Sequence, residues 1–434
     1  MTDPISDTLT PVRQTAAQVL AAAVCDLFPG THLAGGQGTD PYFYYDFHFP
    51  FPFQPEMLSP IEERMRAILR ENRPIVSMEM VPMNAADLMR HQKQPLVEER
   101  LRLEETATVQ MCKIGTHADF CPHAFAEHCH LRHFKLLEGI VLDGSSRKGV
   151  RIVGALTEEK TDLKAIAKLP LPSKKAHLPL AYAMKLFEPV EGGHSWIWLP
   201  QALVLRNLLC KIWEQECVKQ NIHRVSTPYA FLQSTDRKAI TAHFEALKHS
   251  GMTRAAELSW VQSDPQEGEG EGLLGATASY SDRVYLISTG EKLLEETISF
   301  LQFILKIPKI LGFEFEIVLS VSCAGNQGKR KKVVSLLEQA LRTSELEYAV
   351  RKVYSQGEYA RIEVMIPDAL GRKWSGPFLC YPELSRETTC GEALVLSTFG
   401  SMERLFALLL ENTGGSAPFE EVLKQLRELS QEKG

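Results

Sequence analysis

No apolar run in this 434-residue chain reaches the roughly 18 residues that a membrane-spanning helix needs, so a helical membrane protein is not expected. The opening MTDPISDTLTP lacks the apolar centre of a secretory leader, and no targeting signal is expected. Positive charge is not in excess. Lys and Arg number 48 against 54 Asp and Glu, a net charge of −6, so the surface as a whole does not attract nucleic acid. Only a local basic patch is left open. The nine cysteines are odd in number and follow no disulfide framework, which points to reduced thiols in the cytoplasm. There is no internal repeat.

What is present is an ordinary globular mixture, 44% apolar and 24% charged, on a chain long enough for two or three cores. Ala16 to Phe28 is expected to form a helix ended by Pro29-Gly30, followed by an aromatic strand, YFYYDFHF. That aromatic run is expected to form a sheet core rather than a base-stacking surface. Ser59, Pro60 and Glu62 predict a capped helix start. Strands are expected at 74–82 and 149–156. LPLPSKKAHLPLA, 169–181, breaks periodicity and is expected to be a linker. A long helix over 201–220 follows. QSDPQEGEGEG, 262–272, is expected to be a solvent loop. RVYLIS, FEFEIVLSVS and YARIEVMIP are expected strands, among helices at 290–306 and 332–345. Two helices, 401–412 and 418–432, close the chain. KRKK, 329–332, opens a helix and is expected to be solvated, with contact to RNA phosphates as the alternative.

One stretch concentrates ligand-type side chains. HADFCPHAFAEHCHLRHF, 117–134, holds five histidines and two cysteines. Structural zinc commonly takes four ligands in two close pairs. Cys129 and His133 offer one pair and Cys121 and His123 another, yet neither is a two-residue knuckle. No metal is therefore expected, with Cys121, His123, Cys129 and His133 as the alternative set. A hydrolytic reading has Asp119 orienting an imidazole, Cys121 as nucleophile or hydrogen-bond partner, and His123 positioning water.

In their order these segments resemble bacterial threonyl-tRNA synthetases, from about Val12 to Gly415. In the first half, PYFYYDFHF, Ile61-Glu62-Glu63-Arg64-Met65, Asp119-Phe120-Cys121-Pro122-His123, His133-Phe134-Lys135-Leu136 and Arg151-Ile152-Val153-Gly154-Ala155 are similar to segments of that family's editing domain. The resemblance implies that Asp119, Cys121 and His123 are the editing-like catalytic candidates. The departures are as informative. Two family histidines, four apart on a helix, fall on Gln14 and Gln18, and glutamine cannot titrate near neutral pH. The family's C-x-x-x-H shortens to Cys121-x-His123, and its pocket lysine falls near Val97.

In the second half, FGSMERLFALLL, 399–410, resembles the third signature motif of class II synthetases, with Arg404 as its nucleotide-binding arginine. Asp368, Arg372 and Trp374 keep a family spacing. Tyr359-Ala360-Arg361-Ile362-Glu363 is similar to a family strand, with arginine for lysine. Pro228 falls where a dimer-interface proline is expected. Arg404, Arg361 and Arg372 are thus a nucleotide-binding remnant. For Arg404 a structural ion pair with Glu403 or Asp368 is the preferred expectation, and for Arg372 and Trp374 a stacked structural pair. The second motif has lost its chemistry. Gly275 and Thr277 stand where two arginines belong, and another arginine and a glutamate fall near Ser263 and Pro265. The glutamates of the 262–272 loop would repel a triphosphate. The zinc site has no counterpart to its cysteine segment between His243 and Trp260, and one of its histidines falls on Val395. Nothing after Gly415 resembles an anticodon-binding domain.

The expectation is an α+β protein. An editing-like domain over 10–168 and a linker over 169–181 precede a degenerate class II core over 182–415, with a six- or seven-stranded antiparallel sheet flanked by helices. A C-terminal helix over 416–434 completes it. The resemblance implies a threonyl-tRNA synthetase-like paralogue inactive in aminoacylation, which binds tRNA or a protein partner as a regulator or adaptor. It also implies a cytoplasmic homodimer, with no membrane, ATP or zinc. The alternatives are a trans-editing hydrolase of Ser-tRNA(Thr) type and a diverged ATP-dependent threonine–tRNA ligase.

Overall fold

Helix α1 (Thr10–Leu27) buries every residue from Arg13 to Val24. A helix buried on all sides belongs inside a core, and the small side chains of its alanine-rich centre let neighbouring strands approach closely. The computed structural model describes residues 9–104, 106–126, 131–142, 149–169, 171–190, 195–227, 237–262, 272–288, 290–324, 326–353, 357–385 and 391–431. Contacts divide the chain into two compact units, the first running to Lys174 and including Leu370–Arg372, the second formed by most of the chain from Lys175 onward.

The first unit follows α1 with β1 (His32–Gly38), β2 (Tyr42–His48), α2 (Leu58–Arg70), β3 (Ile75–Met80), α3 (Pro82–His91) and α4 (Pro95–Arg102). Next come β4 (Val109–Ile114), β5 (His117–Phe120), β6 (His133–Leu142), β7 (Gly149–Thr157) and α5 (Lys160–Ile166). One sheet has the order β1-β2-β7-β6 and a second the order β3-β4-β5. Phe43, Tyr45 and Phe47 of β2 lie on one face and are fully buried, so the aromatic run is core as expected. Opposite Asp46, Arg151 of β7 forms a bidentate pair at 2.8 and 2.7 Å. Helix α2 begins at Leu58, not at a Ser59 cap. Glu62 is not a capping residue either. It accepts from the Leu136 N–H of β6 at 2.9 Å and pairs with Arg66.

Two short helices, α6 (Pro172–Lys175) and α7 (His177–Ala183), occupy much of the expected linker. The second unit continues with β8 (Phe187–Pro189), β9 (Trp196–Trp198), α8 (Pro200–Lys219), β10 (His223–Arg224), α9 (Arg237–His249), β11 (Arg254–Gln262) and β12 (Ala278–Ser288). Then follow α10 (Leu293–Ile310), β13 (Glu316–Ser322), α11 (Gln327–Thr343), β14 (Ala349–Val353), β15 (Glu358–Pro367), β16 (Lys373–Pro382), β17 (Glu392–Ser397), α12 (Met402–Thr413) and α13 (Ser416–Gln431). Its main sheet has eight strands, one or two more than expected, in the order β10-β11-β12-β17-β16-β15-β13-β14. The two outermost pairs are parallel and the rest antiparallel. Val284 and Tyr285 show the two faces. Val284 packs into the large core with α8, α10, α11 and α12, while Tyr285 packs against Phe244 of α9. Among the described residues no helix is long and apolar enough to cross a membrane.

Candidate functional site

In the first unit the candidate site forms where α1 crosses β1 and the end of β5. Gln14 and Gln18, four residues apart, share one buried face of α1. Gln14 is fully used. Its Oε1 accepts from Gly38 N at 2.8 Å, and its Nε2 donates to Gly36 O at 3.3 Å and Cys121 Sγ at 3.4 Å. The close approach requires glycine, since a Cβ on Gly38 would lie 2.2 Å from Gln14 N. Gln18 is different. Its buried amide lies beside the Asp119 carboxylate and favours the charged form of that group.

Asp119 is 1% exposed. Its Oδ2 accepts from the Tyr45 hydroxyl at 2.6 Å. Burial pushes its carboxyl up to about 6, against hydrogen bonds from Tyr45, Gln18 and the Phe120 backbone and the charge of Arg100, which favour the charged form. Cys121 is buried too, and burial pushes its thiol up to about 12. A thiol at that value is no nucleophile at neutral pH. Its Sγ donates to the His123 carbonyl at 3.3 Å, while the His123 side chain is exposed. The three expected catalytic residues are therefore adjacent, but not arranged as nucleophile, base and orienting acid. His133 opens β6, and Cys129 lies outside the described residues, as do His128 and His130. Among the described residues no three His, Cys, Asp or Glu side chains could hold a metal ion together.

Arg100 was missed in the sequence. The expected position for a pocket cation, Val97, is a buried apolar residue of α4. Arg100 stands one turn further along that helix, with its guanidinium 5.0 Å over the Phe120 ring. The i, i+3 spacing from Val97 was the available signal.

In the second unit, Arg404 sits in the first turn of α12, where Ser401 caps the helix by accepting from Arg404 N. The guanidinium does not face open space. Nε donates to Leu274 O at 3.3 Å, Nη1 donates to Ser375 O at 3.0 Å, and the group lies over the Trp374 ring at 5.4 Å. Leu274 belongs to the short helical turn Gly272–Gly275. Glu403 accepts from Trp198 Nε1 at 2.8 Å and from Tyr280 N at 3.0 Å, and burial pushes its carboxyl up to about 7. Trp374 Nε1 donates to Asp368 at 2.9 Å.

Arg361 of β15 donates to Glu358 at 3.0 and 2.8 Å and lies 4.3 Å over Phe378. Arg283 of β12 lies over the same ring at 5.1 Å, and nothing in the sequence singled it out. Glu363 shares a strand face with Arg361. Burial pushes its carboxyl up, yet Ser320 and Arg351 hold it below the usual carboxylate range. Ser375 links these groups, its hydroxyl donating to Glu363 at 3.0 Å and its carbonyl accepting from Arg404. Arg372 stands in the turn between β15 and β16. Val395 is packed in an apolar cluster with Phe244, Tyr285 and Ala393. Ser263, Pro265, Pro228 and nearly all of the acidic loop lie outside the described residues.

No protein-family model matches the chain. It is 26% identical over 464 residues to the threonine–tRNA ligase of Clostridium tetani, covering 94% of this chain and 72% of that protein. With the threonine–tRNA ligase of Dehalococcoides mccartyi it shares 27% identity over 474 residues, covering 96% of this chain and 81% of that protein. Among solved structures, the RNA binding domain of threonyl-tRNA synthetase from Cryptosporidium parvum aligns at a TM-score of 0.47 with 21% identity, covering 55% of this chain and 73% of that one. Along nearly its whole length, the chain is a divergent, threonyl-tRNA synthetase-like protein.

Proposed function

We propose that this protein is a synthetase-like paralogue that binds tRNA, a related RNA or a protein partner and does not activate an amino acid, acting as a cytoplasmic homodimer through its second unit. One observation carries the reading. The guanidinium of Arg404, the residue that would meet a triphosphate, is bonded to the carbonyls of Leu274 and Ser375. To grip phosphate it would have to leave two part-buried acceptors behind, each hydrogen bond contributing about 0.5–1.5 kcal/mol. Gly275 and Thr277 supply no replacement charge at the second motif, and adenylation depends on cations placed around the transferring phosphorus.

Fluorescence anisotropy with labelled tRNA tests the binding half. Saturable binding that weakens steeply as salt rises is the expected result. A flat titration at low salt contradicts it.

A second reading, hydrolysis of mischarged aminoacyl-tRNA, is favoured by Asp119 alone, whose buried carboxyl is pushed up to about 6. Gln14 cannot take a proton and the Cys121 thiol stays protonated, so we place this reading second. Loss of Ser-tRNA(Thr) ester above buffer, abolished by His123→Ala, would establish it.

A further inference from the structure

We infer that the junction between β13 and α11, together with the end of β14, is the surface on which an RNA backbone sits. This rests on the RNA-binding reading above and says where that binding occurs. The four basic residues Lys329 to Lys332 turn out to be two pairs with different work. Lys329 is held 5.8 Å from the Tyr359 ring centre and 5.6 Å from that of Tyr381, with Glu392 at 3.5 Å. Arg330 folds back and donates to Ser322 O at 3.0 Å and Ala324 O at 3.2 Å, fixing the loop that enters the helix. Lys331 and Lys332 are exposed. No ion pair holds either of them among the described residues.

A third lysine joins them through the sheet. The parallel register sets Lys352 of β14 beside Val321 of β13, and Cys323 N donates to Val353 O at 2.8 Å. The exposed Lys352 therefore lies at the strand end from which α11 departs. Here, too, no ion pair is found among the described residues. The positive pole of a 17-residue helix adds to the same field.

The capping pattern narrows the ligand. Asn326 Oδ1 already accepts from Gly328 N at 2.9 Å and Lys329 N at 3.1 Å. Those backbone donors are therefore not available to cradle a free phosphate. What remains are separated ammonium groups on flexible stems, which suit successive phosphodiesters of an extended polyanion. On a chain of net charge −6, such a patch orients RNA by repelling it elsewhere.

The test is the triple variant Lys331→Ala, Lys332→Ala, Lys352→Ala in the full chain, with tRNA anisotropy measured across a potassium chloride series. Affinity is expected to fall about tenfold or more, and the slope of log K against log salt to flatten by about 2–3, roughly one for each phosphate contact removed. The matching triple arginine variant should keep wild-type binding. If the wild type binds tRNA and the alanine variant matches it in affinity and slope, this surface is wrong while the RNA reading stands. If the wild type does not bind tRNA, the RNA reading fails and takes this inference with it. Competition by poly-glutamate as effective as that by RNA would assign the patch to an acidic protein and overturn the inference.

Discussion

Asp282→Ala is expected to destabilise the second unit by about 4 kcal/mol or more, at the upper end of what one substitution does. Asp282 is fully buried. It accepts from Trp213 Nε1 at 2.9 Å, Ser397 Oγ at 2.7 Å, Thr398 N and Oγ1 at 2.9 Å, and Phe399 N at 3.0 Å. A carboxylate has about four lone-pair positions, so this one is saturated. Alanine would strand those donors out of reach of water, each costing about 1–3 kcal/mol, with partial relief as the site relaxes. All five tryptophans lie beyond residue 190, so denaturant unfolding followed by tryptophan fluorescence reads the second unit selectively. Asp282→Asn keeps one acceptor oxygen and should fall between wild type and alanine. A loss within about 1 kcal/mol for alanine would show that the network does not hold the sheet to the FGSMER segment. Asp282 ends the GLLGATASYSD run, in which it is the one charged residue.

Asp119→Asn is expected to do the opposite and stabilise the first unit at pH 7.5. The Asp119 carboxyl is pushed from 3.8 up to about 6 by burial. A carboxyl raised in the folded state binds its proton more tightly there than when unfolded. Above about pH 6 the charged form is imposed on a buried site and costs stability. That cost shrinks as pH falls through 6 and is gone below about 4. A shift of this size corresponds to roughly 2–3 kcal/mol. Asparagine removes the cost and can still accept from the Tyr45 hydroxyl. Hydrogen exchange of α1 and β2 peptides, compared between variant and wild type at matched pH, reads the effect in this unit alone. Slower exchange in the variant at pH 7.5, converging with wild type near pH 4, is the expected pattern. Equal or faster exchange at pH 7.5 would mean that Tyr45, Gln18 and Arg100 offset the cost of burying the charge.

The sequence made some of this legible for physical reasons. Aromatic alternation located β2, because the period of a strand is two and every second ring must be covered. GVRIVGAL located β7, the inner strand buried along its whole length. The start of α2 was not legible in the same way. Ser59 and Glu62 have the composition of a cap, but the chain turns into the helix earlier, at Leu58, and Glu62 bonds a strand 74 residues away. Local propensity cannot report such a distant partner. The outermost pairs β10/β11 and β13/β14 were underestimated, since two- and five-residue strands carry too few side chains to show a period. In the candidate sites, residue types revealed what was missing. The glutamines at 14 and 18 and the glycine at 275 exclude particular chemistry wherever they sit. What the remaining groups do instead depended on geometry. Gln14 ties a helix to a strand, Arg404 holds two carbonyls, and Arg100 reaches the ring of Phe120 from the turn beyond Val97.

The central claim is that the second unit keeps a synthetase-like scaffold without its clamp on the triphosphate. Amino-acid-dependent ATP–pyrophosphate exchange tests this most directly, run on the purified protein with each amino acid in turn. The account predicts no exchange above background with any of them, for the wild type and for Arg404→Ala alike. Exchange supported by one amino acid and lost in Arg404→Ala would contradict it, because Arg404 would then be leaving its two carbonyls to serve a nucleotide.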